Sequence, residues 1–408
     1  MTIIVGAGQY GLWIKEKFCE FEQVLFYDND RRKWGTYVAG TRVISLEELL
    51  KLVESAENKV IIGSRSLSVE YFVKDVLPKC PVYKVENEIL RKVSVKDLVD
   101  FKFDNTKDIG EKNLESYFRQ LDKIKKSGNM KAYNHASKYI EFKQKHICLP
   151  EIYSIEFTNE CNLKCPNCPN ENMTFHKGFM TDEVFEATLP YLPPYQEDTI
   201  SVHCMGEPLL HPKLITYLNE LADRGINICI STNGILLDEA LARELLSVLS
   251  RVNRAILYIS FHTSKSVENW LNFLKLYEGF GNGNIEFFGQ VLEHNDKEAH
   301  KWLEKMGVTD FYNHPHIRHI TSHSFGGNVI SKRKEYMDIE VNNRIRNCYY
   351  LRNNKVAVLW DGSIKSCCYD SNATQKCGSI FDFERTQINQ MGYPLCKCCD
   401  PDWTTGWQ

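Results

Sequence analysis

The 408-residue sequence has no apolar run long enough to cross a bilayer, and its formal net charge is only −3. A transmembrane helix needs about 20 consecutive apolar residues, so that class of protein is excluded. The small net charge gives no reason to expect a nucleic acid as partner. The first residues lack a basic segment, an apolar stretch and a cleavage site, which argues against secretion. We therefore expect a cytoplasmic protein that binds neither membrane nor nucleic acid.

Cysteine, in contrast, is abundant, with 15 residues. Disulfide frameworks are typical of small secreted domains, and in a reducing compartment clustered cysteines indicate metal ligands or reactive thiols. Twelve of the 15 lie within residues 161–168, 204–229 and 348–399. The other three are expected to be buried small side chains, and they are Cys19, Cys80 and Cys148.

Hydrophobic periodicity predicts an α/β protein in four parts. Residues 1–90 alternate strand and helix and indicate a Rossmann-like nucleotide-binding domain, and residues 91–148 are predicted to be a helical connector. Residues 149–335 predict a partial (β/α)6 barrel, and residues 341–408 a small cysteine-rich domain. The barrel strands are predicted at Ser154–Thr158, Thr199–Cys204, Ile226–Ser231, Ala255–Phe261, Ile285–Leu292 and Ile317–Ile320. Catalytic groups are expected at their carboxyl ends.

Three cysteines follow the first of these strands with the spacing C-x3-C-x2-C, and they are Cys161, Cys165 and Cys168. Three thiolates are one ligand too few for a [4Fe–4S] cube, so one iron would stay open to another molecule. The alternative is a structural zinc site, which normally has four closed ligands.

With this motif the chain resembles the radical S-adenosylmethionine (SAM) enzymes. The resemblance implies a [4Fe–4S] cluster on the three cysteines, SAM bound to the open iron, and an electron donor such as flavodoxin or ferredoxin. It also implies formation of a 5′-deoxyadenosyl radical that abstracts hydrogen from a substrate. The family usually has an aromatic residue before the last cysteine, where this chain has Asn167.

Polar residues at the ends of later strands extend the resemblance. Met205-Gly206-Glu207-Pro208 resembles the family's Gly-Gly-Glu-Pro, which implies that Gly206 lets the backbone approach the ligand. Glu207 would accept hydrogen bonds from the SAM amino group, the alternative being a solvated loop carboxylate. The resemblance further implies contacts to the SAM carboxylate and ribose from Ser231, Asn233 and Ser260. Taken alone, the run Ser-Thr-Asn-Gly is only a turn signature.

The tail has the pattern C-x13-G-x4-C followed by C-x2-C, which resembles the twitch form of the SPASM domain. The resemblance implies one auxiliary [4Fe–4S] cluster held by Cys348, Cys367, Cys396 and Cys399. The same four thiolates would also suit a zinc ribbon. Cys377 remains open as a replacement ligand.

The N-terminal strand is followed by Gly6-x-Gly8-x2-Gly11, and Asp28 follows the second strand. This spacing is typical of a dinucleotide-binding turn, with a phosphate at the helix N-terminus and the acid on a ribose hydroxyl. The glycines would also serve simple close packing. The segment resembles Rossmann-type domains of bacterial sugar-modifying enzymes, which implies a nucleotide-linked sugar.

Two groups of reactive side chains remain open. Cys204 and Cys229 could donate hydrogen to a substrate radical or be core residues. Four histidines near the sixth strand could contact substrate phosphate or hydroxyls, although loop packing is favoured, and they are His314, His316, His319 and His323.

The sequence thus predicts a radical SAM oxidoreductase or epimerase that acts on a carbohydrate. The first alternative is a peptide maturase that forms thioether or carbon–carbon cross-links. The second is a non-enzymatic metal-bearing nucleotide sensor.

Overall fold

The computed structural model describes residues 1–20, 22–28, 31–63, 73, 80–94, 106–194, 198–281, 283–320, 325, 328–329, 345, 348–389 and 392–399. These residues form two compact units. The first holds residues 1–94 with Ile345 and Cys348, and the second holds the other described residues between 106 and 399. No described helix is both long and apolar enough to traverse a bilayer.

The first unit is a seven-stranded sheet in the order β3-β4-β2-β1-β5-β6-β7. Its strands are β1 Thr2–Val5, β2 Val24–Tyr27, β3 Tyr37–Val38, β4 Thr41–Ile44, β5 Lys59–Ile62, β6 Val82–Glu86 and β7 Ile89–Val93. Its helices are α1 Gln9–Phe18 and α2 Leu46–Leu52. Strands β4, β2, β1, β5 and β6 pair in parallel, while β3 and β7 pair antiparallel at the two edges. The sequence pattern also predicts a helix at Val69–Val76, which lies, except for Val73, outside the described residues.

Two antiparallel helices open the second unit, α3 Thr106–Lys126 and α4 Met130–Lys145. The polar composition of residues 104–110 predicts a turn at a domain boundary. The boundary is confirmed, because the second unit begins at Asp104, but the turn is wrong from Thr106 onward, where α3 begins. Gly110 lies inside this helix, and a Cβ atom there would stand 2.0 Å from the Ile147 carbonyl oxygen. The glycine therefore serves close packing of the chain against the helix.

The second unit contains a nine-stranded sheet in the order β13-β12-β11-β10-β9-β8-β14-β15-β16. Its strands are β8 Glu151–Ile155, β9 Ile200–Ser201, β10 Ile228–Thr232, β11 Ala255–Ser260, β12 Ile285–Leu292, β13 Ile317–Ile320, β14 Lys355–Val358, β15 Ser363–Lys365 and β16 Lys376–Ser379. Its further helices are α5 Asp182–Thr188, α6 Leu214–Asp223, α7 Glu239–Leu249, α8 Ser264–Phe280, α9 Asp296–Lys305 and α10 Tyr349–Arg352.

Strands β8 to β13 follow chain order and pair in parallel, which confirms the predicted α/β class and the strand order of a partial (β/α)6 barrel. The predictions for β11, β12 and β13 agree with the observed bounds to within one residue. Strand β9 is shorter than predicted. Past its end, the Ser231 backbone N–H donates to Nδ1 of His203 at 3.0 Å. A side-chain acceptor therefore takes the place of a backbone carbonyl between β9 and β10 at this point.

Strand β14 pairs in parallel with β8, and the tail hairpin continues the same sheet. The Lys355 ammonium lies 3.0 Å from Glu151 Oε2 at the start of this pairing, with side chains only 7% and 2% exposed. The main core lies between this sheet and the helices that follow each parallel strand, around the buried Trp270, Phe157 and Phe287. The carboxyl ends of the seven parallel strands β8 to β14 therefore share one edge.

Candidate functional site

The three-cysteine loop follows β8 and is held by two buried asparagines. The Asn159 amide donates to the His176 carbonyl and accepts from the Gly178 N–H, both at 2.9 Å. The Asn170 amide donates to the carbonyls of Asn159 and Met205, at 2.7 and 2.8 Å. Both asparagines are at most 3% exposed, so these hydrogen bonds fix the loop against the segment after β9.

The structure brings Cys161, Cys165 and Cys168 together on this loop. All three thiols are partly buried, and burial raises the pKa of each. For Cys165 the pKa rises to about 11, first through burial and then through the nearby Cys168 and Cys161. Like-charge repulsion of this kind is relieved when a cation binds the thiolates.

Backbone N–H groups face two of these sulfurs and lower the thiol pKa against the effect of burial. They belong to Leu163 and Asn162 for Cys161, and to Asn170 for Cys168. Hydrogen bonds from the backbone to ligating sulfur are a normal feature of iron–sulfur sites. The donor set therefore fits a cluster with three protein ligands.

His262 is a site residue that sequence reasoning missed. Its Nδ1 atom lies 3.4 Å from Cys165 Sγ, and burial lowers the imidazole pKa to about 4. A signal was present, because His262 stands two residues after Ser260, at the carboxyl end of the fourth predicted barrel strand.

Glu207 is buried, with 2% of the residue exposed, and its carboxylate is already well bonded. Oε1 accepts from the Thr232 hydroxyl at 2.6 Å and from the Leu209 N–H at 3.0 Å, and Oε2 accepts from the Asn233 N–H at 2.7 Å. Burial raises its pKa. The carboxylate thus joins the loop after β9 to the end of β10, and the solvated alternative is wrong.

Gly206 is required by the protein backbone itself. A Cβ atom there would stand 2.3 Å from the Thr158 carbonyl oxygen and 2.6 Å from that of Glu160. The close approach expected of this glycine is thus made to the loop that carries the cysteines.

The remaining rim residues lie at the carboxyl ends of β10 and β11. The Asn233 amide donates to Asn162 Oδ1, inside the cysteine loop, at 2.7 Å. The Ser260 hydroxyl donates to Gln290 Oε1 at 3.0 Å, and Ser231 is partly exposed. Assignment of these side chains to SAM stays a prediction.

Cys204 lies among charged groups that sequence reasoning did not connect to it. Its thiol is 3.8 Å from the Cys368 carbonyl oxygen. Burial raises its pKa to about 12, opposed by the Lys365 ammonium and reinforced by the Glu156 carboxylate. Lys365 and Glu156 are each 1% exposed. A protonated thiol therefore lies beside a buried ammonium and a buried carboxylate.

Tyr393 contacts one tail thiol and lies near two others. Its N–H lies 3.3 Å from Cys396 Sγ, and its phenol pKa is raised by burial and, more weakly, by Cys377 and Cys367. Cys399 is buried nearby, its N–H bonded to the Cys396 carbonyl.

Cys348 belongs to the first unit, whereas the other predicted tail ligands belong to the second. The auxiliary set Cys348, Cys367, Cys396 and Cys399 stays a prediction, and so does the choice between Cys377 and one of its members. Among the three isolated cysteines, Cys19 and Cys80 are buried as expected, but Cys148 is exposed in the segment between α4 and β8.

The glycine turn of the first unit has strained and crowded positions. Gly6 has φ 116°, and a Cβ atom on Gly11 would stand 2.0 Å from the Gly6 carbonyl oxygen. Gly8 is the N-cap of α1 and has open space around it. The Asp28 carboxylate accepts from the Ala7 N–H at 3.0 Å, which places the acid directly beside this turn. Nucleotide binding by these residues remains a prediction.

The histidines near β13 have separate surroundings. The His314 ring packs edge-on against Trp270, and the His316 ring bonds the Phe287 carbonyl at 2.9 Å. These two contacts agree with the packing interpretation. His319 lies instead beside Asp296, and His323 is outside the described residues.

Three clustered thiols at the carboxyl edge of a parallel α/β sheet fit the class of α/β domains that hold a metal cluster with one open position. Residues 155–288 match the model of the radical SAM superfamily. The match covers 134 of the 408 residues and includes the three-cysteine loop, so this part of the chain is a radical SAM domain.

A curated relative is the tungsten-containing aldehyde ferredoxin oxidoreductase cofactor-modifying protein of Pyrococcus furiosus. It is 29% identical over 116 residues, which are 28% of this chain and 32% of the relative. The chain thus spans about a third of the length of the curated relatives it matches.

Two solved structures share weaker likeness. BtrN in complex with SAM is 16% identical, covers 60% of this chain and 84% of its own, and has a TM-score of 0.37. UDP-D-quinovosamine 4-dehydrogenase from Vibrio fischeri is 21% identical, covers 24% and 97%, and has a TM-score of 0.21. At these TM-scores neither likeness supports an inference about this chain.

Proposed function

We propose that this protein is a radical SAM enzyme that abstracts hydrogen from a carbohydrate, in particular a nucleotide-linked sugar, for dehydrogenation or epimerisation. The observation that carries the proposal is the group of three partly buried thiols on the loop after β8, where Cys168 and Cys161 are close enough to raise the pKa of Cys165. Cys161, Cys165 and Cys168 would hold the cluster. With cluster and SAM bound, the chemistry supplied is reductive cleavage of SAM to methionine and a 5′-deoxyadenosyl radical.

The chain's own residues would shape the SAM pocket. The bond from Asn233 to Asn162 joins the end of β10 to the cysteine loop, and Glu207 accepts hydrogen bonds from the same strand end. This frame would keep Ser231 and Ser260 at fixed positions around the SAM carboxylate and ribose.

The fate of the substrate radical would depend on groups around Cys204. Dehydrogenation requires loss of one proton and one further electron, and we assign the electron to an auxiliary cluster on the tail cysteines. Epimerisation requires a hydrogen atom, and the Cys204 thiol would donate it from the opposite face. The thiol is protonated at neutral pH because burial raises its pKa to about 12.

The first experiment is anaerobic reconstitution followed by reduction in the presence of SAM. We expect about eight irons per chain, because two clusters are proposed, together with release of 5′-deoxyadenosine. About four irons per chain would mean that the tail cysteines hold no cluster. The matched control replaces Cys161, Cys165 and Cys168 by alanine and leaves the tail intact. If the wild-type protein forms no 5′-deoxyadenosine, the enzyme proposal is wrong.

The substrate class is tested separately in the first unit. A nucleotide-linked sugar should bind the wild-type protein, and Asp28→Asn should weaken binding, because the amide replaces one of the two carboxylate acceptors for ribose hydroxyls by a donor. Glu88→Gln, in the exposed pair with Lys17, is the control. Product formation in deuterium oxide then separates the reactions. Oxidation leaves a ketone, whereas epimerisation places one deuterium at the inverted carbon. The Cys204→Ala variant should no longer form the epimerised product.

A further inference from the structure

Asp296, His300 and His319 form a cluster of metal-ligating side chains apart from the cysteines. Their ligand atoms all lie within 4.8 Å of one another. Asp296 Oδ1 is 3.3 Å from His300 Nε2 and 3.5 Å from His319 Nδ1. When zinc binds nitrogen and oxygen at about 2.1 Å in a tetrahedron, neighbouring ligand atoms are about 3.4 Å apart. The two distances from Asp296 Oδ1 therefore match the edges of a tetrahedral zinc site.

The second observation is an unsatisfied nitrogen. His300 Nε2 is buried and has no hydrogen-bond partner within the described part of the chain, although the Asp296 carboxylate is 3.3 Å away. A buried imidazole nitrogen normally finds a partner, because leaving it unpaired is costly. Burial also lowers the pKa of His300, which favours the neutral imidazole that metals bind.

The ligands are held by rigid surroundings. Asp296 and His300 stand one turn apart on α9, and His319 lies on β13. The His300 ring stacks on Phe311 with 3.9 Å between centroids and 18° between planes. The His319 ring stacks on Tyr312 at 5.0 Å and 14°. Packing of this kind fixes ring orientation and so prepares a coordination geometry.

The cluster also lies at the edge of the sheet where the polar rim residues are. Helix α9 begins just after β12, and His319 pairs in register with Val291 near the carboxyl ends of both strands. The side chain of Asn295, next to Asp296, donates to the Phe261 carbonyl and so joins this segment to the end of β11.

We propose that Asp296, His300 and His319 bind one divalent transition-metal ion, for which zinc is the probe. Imidazole and carboxylate ligands suit zinc, and three protein ligands leave a fourth position for water or an oxygen atom of a ligand. The site contains no cysteine, so zinc binding there is expected whether or not the protein is a radical SAM enzyme.

The test uses the full chain after cluster reconstitution, so that its cluster-forming cysteines are occupied, with zinc chloride as the only added metal. Bound zinc is measured after gel filtration, and the zinc K-edge absorption spectrum reports the ligands. We expect one zinc per chain with imidazole scattering and no sulfur. His319→Gln and Asp296→Asn should each weaken zinc binding by about tenfold or more.

His146→Gln is the matched control. His146 is 30% exposed against 33% for His319, and its Nε2 atom also lies beside a carboxylate, 3.9 Å from Glu384. Unchanged cluster absorbance and melting temperature in His319→Gln establish that the variant folds. The proposal is overturned if the wild-type protein retains no zinc, if sulfur dominates the spectrum, or if folded His319→Gln binds zinc as the wild type does.

Discussion

The Nδ1 atom of His262 lies 3.4 Å from Sγ of Cys165, the central cysteine of the loop after β8. This contact joins the end of β11 to the cysteine loop. Hydrogen bonds to ligating sulfur are among the factors that set the reduction potential of an iron–sulfur cluster. A neutral imidazole in this place can therefore tune a cluster that it does not ligate.

Replacing His262 by alanine is expected to make the midpoint potential of a cluster on this loop more negative. A donor to sulfur stabilises the reduced cluster, because it offsets the added negative charge, and the variant loses it. The measurement is a redox titration of the reconstituted protein followed by electron paramagnetic resonance. His146→Ala should leave the potential unchanged, and equal potentials for wild type and His262→Ala would contradict the assigned contact.

Replacing Glu207 by glutamine is expected to lower the free energy of unfolding by about 2 kcal/mol. The carboxylate accepts from Thr232, Leu209 and Asn233, and an amide turns one acceptor into a donor facing a donor. Urea unfolding of both proteins measures the difference. Glu239→Gln is the control, because Glu239 is 70% exposed in its pair with Arg243, and there the change should stay below about 0.5 kcal/mol.

Replacing Lys355 by methionine is expected to lower the free energy of unfolding by about 3 kcal/mol, because it leaves the Glu151 carboxylate buried without its ammonium. The double variant with Glu151→Gln should recover part of the loss. Thermal or urea unfolding of the single and double variants gives the coupling. A double variant no more stable than Lys355→Met would show that the charge is not the cause.

His135 should make stability fall with decreasing pH. Burial lowers its pKa to about 4, and its Nε2 atom lies 2.9 Å from the Leu192 carbonyl oxygen. Below the ordinary pKa near 6.5 the unfolded chain binds a proton that the folded chain refuses, so stability present above that pH is lost as pH falls. Between about pH 7.5 and 5.5 this residue should account for about 1.4 kcal/mol.

His135→Gln is the comparison, because its amide can still donate to Leu192 but takes up no proton. Urea unfolding at both pH values should show that the wild type loses about 1.4 kcal/mol more than the variant. Equal pH dependence in the two proteins would mean that His135 is accessible to protons in the folded state.

Local patterns in the sequence predicted β11, β12, β13 and the cysteine loop well, whereas β8 lies three residues before its predicted position and β9 is shorter than predicted. Runs such as Ile285–Leu292 are regular enough to locate β12, and Cys161, Cys165 and Cys168 lie within one short loop. The surroundings of Cys204 could not be predicted, because its contact with Cys368 joins residues 164 positions apart. Pairing of β14 with β8 is equally remote in sequence, and no periodicity indicates which strand takes that edge.

That pairing has a consequence for how the protein can be divided. Residues 349–399 supply three strands of the same sheet whose next strand, β8, leads into the cysteine loop. A fragment that ends before residue 349 would leave β8 as a bare sheet edge, with unpaired N–H and carbonyl groups and a buried Glu151 that has lost Lys355. The tail is therefore not a detachable module: truncation there should produce a self-associating protein rather than a smaller working one.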